Sequence, residues 1–441
     1  MTLQGLIDGQ GFSRFSMRLL FISFLVMASD GYDLQLAAFA APGLVQDWGI
    51  PRHDLPQLFS ASLLGILLGS PVMGWFGDHF GRKPAVLICC GMNAVLALAC
   101  AAAPSFTILV LLRVLTGAAI GGLMPNANAI NAELAPTRRR GLFIALMFIG
   151  ISVGAAMPGL LISAFPVLHN WRLLFVVGAA APLIGGLAAW AFLPESPAIL
   201  AARGQTDQLR QLLQRMRPDL TEIPRHLHVE PEQSPSAGPG ALFDGALKVT
   251  TPVLWAINIV VFIASYLLTS WTPLLMQSSG LSLAAAATAT SMLHLGGGLG
   301  GLATSFMLDR FGWSTVGIML LIGGVAGLIV GVAPVPAYGL MIAVGVCGFG
   351  ILGSQFGLNA SSSMIYPAQV RSLGAGAASA IGRLGSIAGP FLGGALVATG
   401  ATGRGLFLAT VLPVGVGVLM IGFLVWREGW LRPLKRSAND I

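Results

Sequence analysis

Residues 19–44 read LLFISFLVMASDGYDLQLAAFAAPGL. The stretch is long enough to cross ~30 Å of hydrocarbon as a helix. It carries two carboxylates, Asp30 and Asp33, where a charge costs a few kcal/mol on insertion scales. Their i, i+3 spacing puts both on one helix face, and Gly31 between them loosens the local backbone. Such a pair is read first as functional, because intramembrane acids mark ion and substrate paths. The bland alternative is an acid paired with a buried base for packing alone.

The rest of the chain repeats this character. Its 441 residues are 55% hydrophobic and only 9% charged, with mean hydropathy +0.81. A soluble domain carries about 25% charged residues, so the reading is a polytopic, all-α membrane protein. Apolar runs centre near residues 30, 67, 94, 119, 152, 183, 263, 295, 324, 350, 385 and 415, which predicts twelve spans. The 58 glycines suit close helix contacts in a bilayer. The opening stretch is polar and the first apolar run is too long for a cleavable signal. Cys89, Cys90, Cys100 and Cys347 all fall in apolar runs and read as small buried hydrophobes.

One long polar segment, 200–248, separates the spans six and six. Its first part reads as a short amphipathic helix and its Pro/Ser/Gly end as a linker. The domains expected are therefore 1–199, a six-helix bundle; 200–248, a cytoplasmic linker; and 249–441, a second six-helix bundle. Basic residues gather on the side of the termini, the central segment, Arg82, Lys83, Arg138 to Arg140, Arg310, Arg371 and Arg427. Only Arg52, Arg172 and Arg404 fall on the other side. The positive-inside rule puts both termini in the cytoplasm. The net charge of +7 is this bias and needs no nucleic-acid partner.

The halves repeat one another at a constant offset of 231. It maps Asp78 in GWFGDHFGRK onto Asp309 in SFMLDRFGWS. It also maps Gly81 to Gly312, Pro42 to Pro273, Gly49 to Gly280, Asn128 to Asn359, Pro136 to Pro367 and Arg140 to Arg371. Parallel repeats of this kind are expected of a carrier whose site lies near the midplane at the repeat interface.

Gly74-x-x-x-Asp78-x-x-Gly81-Arg82-Lys83, with Asp309 and Arg310 in the second half, resembles the loop 2–3 signature of the major facilitator superfamily. Arg113-x-x-x-Gly117-x-x-x-Gly121 resembles its fourth-helix signature. Asp30-Gly31-Tyr32-Asp33, the run from Arg113 to Arg140, and the run from Tyr366 to Pro390 are similar to the aromatic acid:proton symporter family. That resemblance implies two six-helix pseudo-symmetric bundles in a bacterial inner membrane. It implies uptake of a small aromatic carboxylate with protons, by a functional monomer with no cofactor beyond the proton gradient.

Candidate residues follow. Asp30 and Asp33 are expected to share proton coupling, since two close acids titrate as a pair. One of them could instead orient a phenolic hydroxyl. Arg383 and Arg113 lie inside spans and offer planar donors to a substrate carboxylate. The resemblance also allows Arg113 a packing and proton-linkage role. A substrate held by Arg383 and bridged to the first half would couple the halves. Tyr32, Tyr266, Trp271 and Phe356 can line an aromatic slot. Asn126, Asn128, Gln355 and Asn359 can meet ring hydroxyls. Gly74, Asp78, Gly81, Arg82, Lys83, Glu133, Asp309, Arg310 and Arg371 are expected to gate conformations. His294 has no assigned role. Export, transport of a non-aromatic organic acid or drug, and reception without transport are the other readings. No nucleophile elbow, metalloprotease helix or phosphate loop occurs in a fitting context, so an enzyme is not expected.

Overall fold

The computed structural model describes residues 3–9, 13–136, 140–217, 238–278, 280–333, 336–367 and 369–439. Among them, regular structure is helical. Helix α1 (Leu3–Asp8) precedes α2 (Arg14–Trp48), α3 (Leu55–Phe80), α4 (Arg82–Ala101), α5 (Phe106–Ile120), α6 (Leu123–Leu134), α7 (Arg140–Ala164) and α8 (Trp171–Phe192). Two short helices follow, α9 (Pro197–Ala202) and α10 (Thr206–Met216). The second series is α11 (Leu247–Ser278), α12 (Leu283–Phe311), α13 (Ser314–Val332), α14 (Ala337–Ile365), α15 (Arg371–Ala398) and α16 (Gly403–Asn439).

Eleven of the described helical segments are long and apolar enough to cross a membrane. α5 and α6 together form one of them, over Phe106–Leu134. The sequence predicts twelve. The remaining rod is α12, which has the length, at 29 residues, but is built mostly from Ala, Gly, Thr and Ser. Its small side chains lower its hydropathy while serving close packing.

The chain divides into two compact units. The first holds Met1–Leu36, Ala61–Pro158 and Val167–Gln233; the second holds Ala37–Ser60, Gly159–Pro166 and Ser234–Ile441. Segments of α2, α3 and α7 thus belong to the second unit, a division that a cut near residues 200–248 does not anticipate. The central segment does begin as an amphipathic helix: Leu209, Leu212, Leu213 and Met216 of α10 are buried. α1 packs against α10, with Arg217 donating to the Leu6 carbonyl at 3.5 Å.

Glycine explains how each unit closes. In the first, a Cβ on Gly65 would strike the Val114 carbonyl, one on Gly69 the Ala118 carbonyl, and one on Gly117 the Ser62 carbonyl. These contacts join α3 to α5. In the second, Gly296 meets the Gly345 carbonyl, Gly300 that of Phe349, and Gly348 that of Leu293. These join α12 to α14. All six positions in one set map onto the other at the offset of 231. Gly154 against the Ala28 carbonyl and Gly385 against the Ile259 carbonyl repeat the same rule. At the turns, Gly81 (φ 111°) and Gly312 (φ 56°) take the left-handed region, as do Gly49 (φ 62°) and Gly280 (φ 97°). The repeat is therefore one of backbone approach as well as of letters.

Candidate functional site

Two constellations stand out in the first unit. The first is buried in α2, α5 and α8. Arg113 is fully buried. Its Nη1 donates to Asp33 Oδ1 at 2.7 Å and its Nη2 to the Asp33 backbone carbonyl at 2.8 Å. Its guanidinium also lies 5.9 Å from the centre of the Phe175 ring. A charge-assisted pair of this geometry is strong because both ends are out of water. Asp30 is one turn earlier on α2 and is buried too, at 4% exposure. Gly31 lets α2 approach α7 so closely that a Cβ would strike the Ile151 carbonyl.

The repeat supplies an internal control for these residues. At the offset of 231, Asp30, Asp33 and Arg113 correspond to Val261, Ala264 and Val344, all fully buried. The same helix contacts are thus made in the second unit without a charge. The corresponding place in the second unit is filled without an ion pair.

The second constellation joins the end of α3, the start of α4, α6 and the entry to α9. Arg82 forms an ion pair with Glu133 and lies 3.7 Å from Asp78. Its backbone N–H donates to Glu195 Oε1 at 2.9 Å. Ser196 donates to Glu133 while capping α9, where its Oγ accepts from the Ile199 N–H at 3.2 Å. The Lys83 ammonium donates to the Trp190 carbonyl at 2.9 Å. Gly74 has open space around it, and Gly81 faces Glu195. Glu195 and Ser196 lie in the run Leu193-Pro194-Glu195-Ser196-Pro197, a motif shared with sugar and organic-ion transporters, which carries no expected site role. The signal was a Ser-Pro pair opening a helix after an acid, a common capping pattern.

Other predicted residues are placed less uniformly. The Tyr32 hydroxyl donates to the Leu174 carbonyl at 3.1 Å, so it ties α2 to α8. Trp271 is fully buried; its indole N–H donates to the Pro390 carbonyl at 3.0 Å and its ring meets Phe59 edge-on at 5.3 Å. Asn126 gives its amide to the Met73 and Gly122 carbonyls at 3.1 and 2.8 Å. Arg113 is likewise committed to Asp33. These four were expected as substrate contacts; each makes hydrogen bonds within the protein, and Arg113 keeps its buried Nε without a partner.

Asn128 is half-buried and its Oδ1 has no hydrogen-bond partner; the buried Nε2 of Gln355 has none either. Asn359 is exposed. Tyr266 is half-buried and stacks on Phe262 at 6.2 Å. Arg383 is half-buried on α15. Arg371 Nε donates to the Tyr366 carbonyl at 3.4 Å, and Arg310 lies over the Phe311 ring at 5.4 Å. Asp309 closes α12, and its side chain lies outside the described residues. Arg138 and Arg139 lie outside them as well.

Helices that span a membrane, arranged as two repeats with a buried ion pair in one of them, define the class of a membrane transporter. The chain belongs to the Major Facilitator Superfamily, whose sequence profile matches residues 19–364. Among curated relatives, the gallate transporter of Pseudomonas putida is 32% identical, covering 94% of this chain and 93% of that protein. The 4-hydroxybenzoate transporter PcaK of Acinetobacter baylyi is 33% identical over 96% and 93%. The 3-(3-hydroxy-phenyl)propionate transporter of Escherichia coli is 30% identical over 93% and 94%. Among solved structures, the inward-open xylose transporter XylE of E. coli superposes with a TM-score of 0.69 at 15% identity, over 93% of this chain and 95% of that one. At that identity the likeness speaks to the fold alone.

Proposed function

We propose that this protein carries an aromatic carboxylate into a bacterial cell together with protons. It would act as a monomer by alternating access in the inner membrane, with both termini cytoplasmic. The observation that carries the reading is the buried Asp33–Arg113 pair beside Asp30. An anion entering a negative-inside cell needs a co-transported cation to accumulate. Buried carboxylates are the groups in a span that can take up and release one. Protonating Asp33 would remove the charge from the Arg113 contact and so weaken it. That gives proton binding a way to bias one conformation over another.

Arg383 is the proposed partner for the substrate carboxylate, through planar donors. At the offset of 231 its counterpart is Ser152, so the second unit adds a cation that the first does without. The ring would lie against apolar and aromatic side chains, with Asn128, Gln355 and Asn359 as amides for its substituents. Asp78, Arg82, Lys83, Glu133, Glu195 and Ser196 would form a latch between helix ends. The three named relatives all transport hydroxylated aromatic acids by their descriptions, which supports the substrate class.

The test is uptake of radiolabelled aromatic acids into cells expressing the protein, with and without a protonophore. Accumulation that collapses with the protonophore is the expected result. Export, or uptake only of a non-aromatic acid, would overturn the reading.

A further inference from the structure

The mechanism leaves buried titratable side chains unused, His294 among them. His294 of α12 is 3% exposed, and its Nε2 has no hydrogen-bond partner. An unmade hydrogen bond on a buried ring nitrogen is costly, so its retention calls for a reason. The repeat again removes the bland one. Its counterpart at the offset of 231 is Leu63, which is buried in the α3–α5 pair. The same backbone approaches form there around a leucine. Neighbouring hydroxyls on α12 donate elsewhere: Thr290 to the Ala286 carbonyl at 2.9 Å and Ser291 to that of Ala287 at 3.1 Å.

A second unpartnered polar atom belongs to the same surface. α12 and α14 pack together, and Leu293 meets Gly348, Gly297 meets Leu352, and Gly301 meets Phe356. Each pair differs by 55 in number, so the helices run parallel in register. Gln355 then lies level with Gly300, six residues beyond His294, or about 9 Å along the axis. The turn of an α-helix, about 100° per residue, puts His294 a quarter turn to one side of the row that faces α14. It puts Gln355 a quarter turn in the opposite sense from the row that faces α12. On two parallel helices facing each other, those opposite senses point the same way. His294 and Gln355 therefore share one side of the pair, with Leu352 and Phe356 laid over Gly297 and Gly301 between them. The counterpart of Gln355 is Met124, so this polar pole, too, is absent from the other repeat.

We infer that this ledge is a specificity subsite: an aromatic ring lies on Leu352 and Phe356, with its hydroxyl substituents hydrogen-bonded by His294 Nε2 and Gln355 Nε2. An apolar floor with polar poles at its two ends fits a hydroxylated ring better than an unsubstituted one. A site built to bond a hydroxyl rejects the analogue lacking it, because its own polar atoms then stay unpaired. The inference rests on the aromatic-acid reading above and adds which side chains read the ring.

The test replaces each residue by its counterpart in the other repeat, His294→Leu and Gln355→Met. KM for benzoate and for mono- and dihydroxylated benzoates is measured by uptake, at equal membrane levels of protein. The ratio of hydroxylated to unsubstituted uptake efficiency should fall about five- to tenfold in each variant. Binding to purified His294→Gln protein, which keeps a polar group there, should retain more of the preference than His294→Leu. An unchanged ratio in both variants, or equal losses for every acid, overturns the subsite. Failure of the unaltered protein to take up any aromatic acid would instead remove the proposed function itself.

Discussion

Asp33 and Arg113 form the most informative pair in the chain. Removing one partner leaves a buried charge unmatched, at a cost of about 3–5 kcal/mol. Removing both is a different experiment, because an ion pair can often be exchanged for apolar residues at no loss. The second unit already holds that exchange, as Ala264 and Val344. Arg113→Val alone should therefore lower the thermal unfolding midpoint of the purified protein sharply. Adding Asp33→Ala should restore most of it while transport stays absent. A double variant as unstable as the single would mean that the pair is structural. Tyr32 and Trp271 illustrate what residue types alone leave open. An aromatic in a span can line a slot, tie helices together or do both, and the hydrogen bonds to Leu174 and Pro390 show the tie.

At the scale of elements, most of the fold was legible. Hydropathy marks the helices because a bilayer demands length and apolarity together. It is weakest for α12, whose small residues serve α14 rather than lipid. The glycines that seat α3 on α5 and α12 on α14 are in the sequence, yet which glycines face a backbone carbonyl is a property of helix rotation. Gly300 touches the Phe349 carbonyl, and its counterpart Gly69 touches that of Ala118. A side chain at either point forces the helices apart, and overpacking costs about 1–3 kcal/mol. Gly300→Val should lower yield and thermal stability, read by fluorescence-detected size exclusion, whereas Gly74→Ala, with open space around it, should leave both unchanged. Equal behaviour of the two would contradict the packing account. The ion-pair cluster at the end of α3 was only half legible. Asp78, Arg82 and Glu133 belong to recognisable motifs, but Glu195 and Ser196 join through a cap 113 residues away from Arg82, a separation that spacing cannot reveal.

The whole molecule is a duplicated fold with an unduplicated chemistry. Backbone approaches and left-handed glycines repeat at one offset, as does the Asn128–Asn359 pair, while the buried ionisable residues do not. Asp30, Asp33 and Arg113 stand opposite Val261, Ala264 and Val344; His294, Gln355 and Arg383 stand opposite Leu63, Met124 and Ser152. Duplication supplies the scaffold, and each unit has diverged where chemistry is done. In this account the first unit handles the proton, and the second supplies Arg383, His294 and Gln355 to the substrate. The proposed class of substrate came from motif resemblance, and Gln355 and Phe356 were candidates by residue type; His294 was given no role, because its burial and unmade hydrogen bond exist only in three dimensions.

Proton movement is the central claim, and it can be recorded directly. Purified protein in proteoliposomes, with a pH indicator outside, is given an inward gradient of an unlabelled hydroxybenzoate. The account predicts alkalinisation of the outer medium that tracks labelled uptake, and its loss in Asp30→Asn and in Asp33→Asn. Uptake at full rate with no proton movement, or proton movement unaffected by both substitutions, would contradict it.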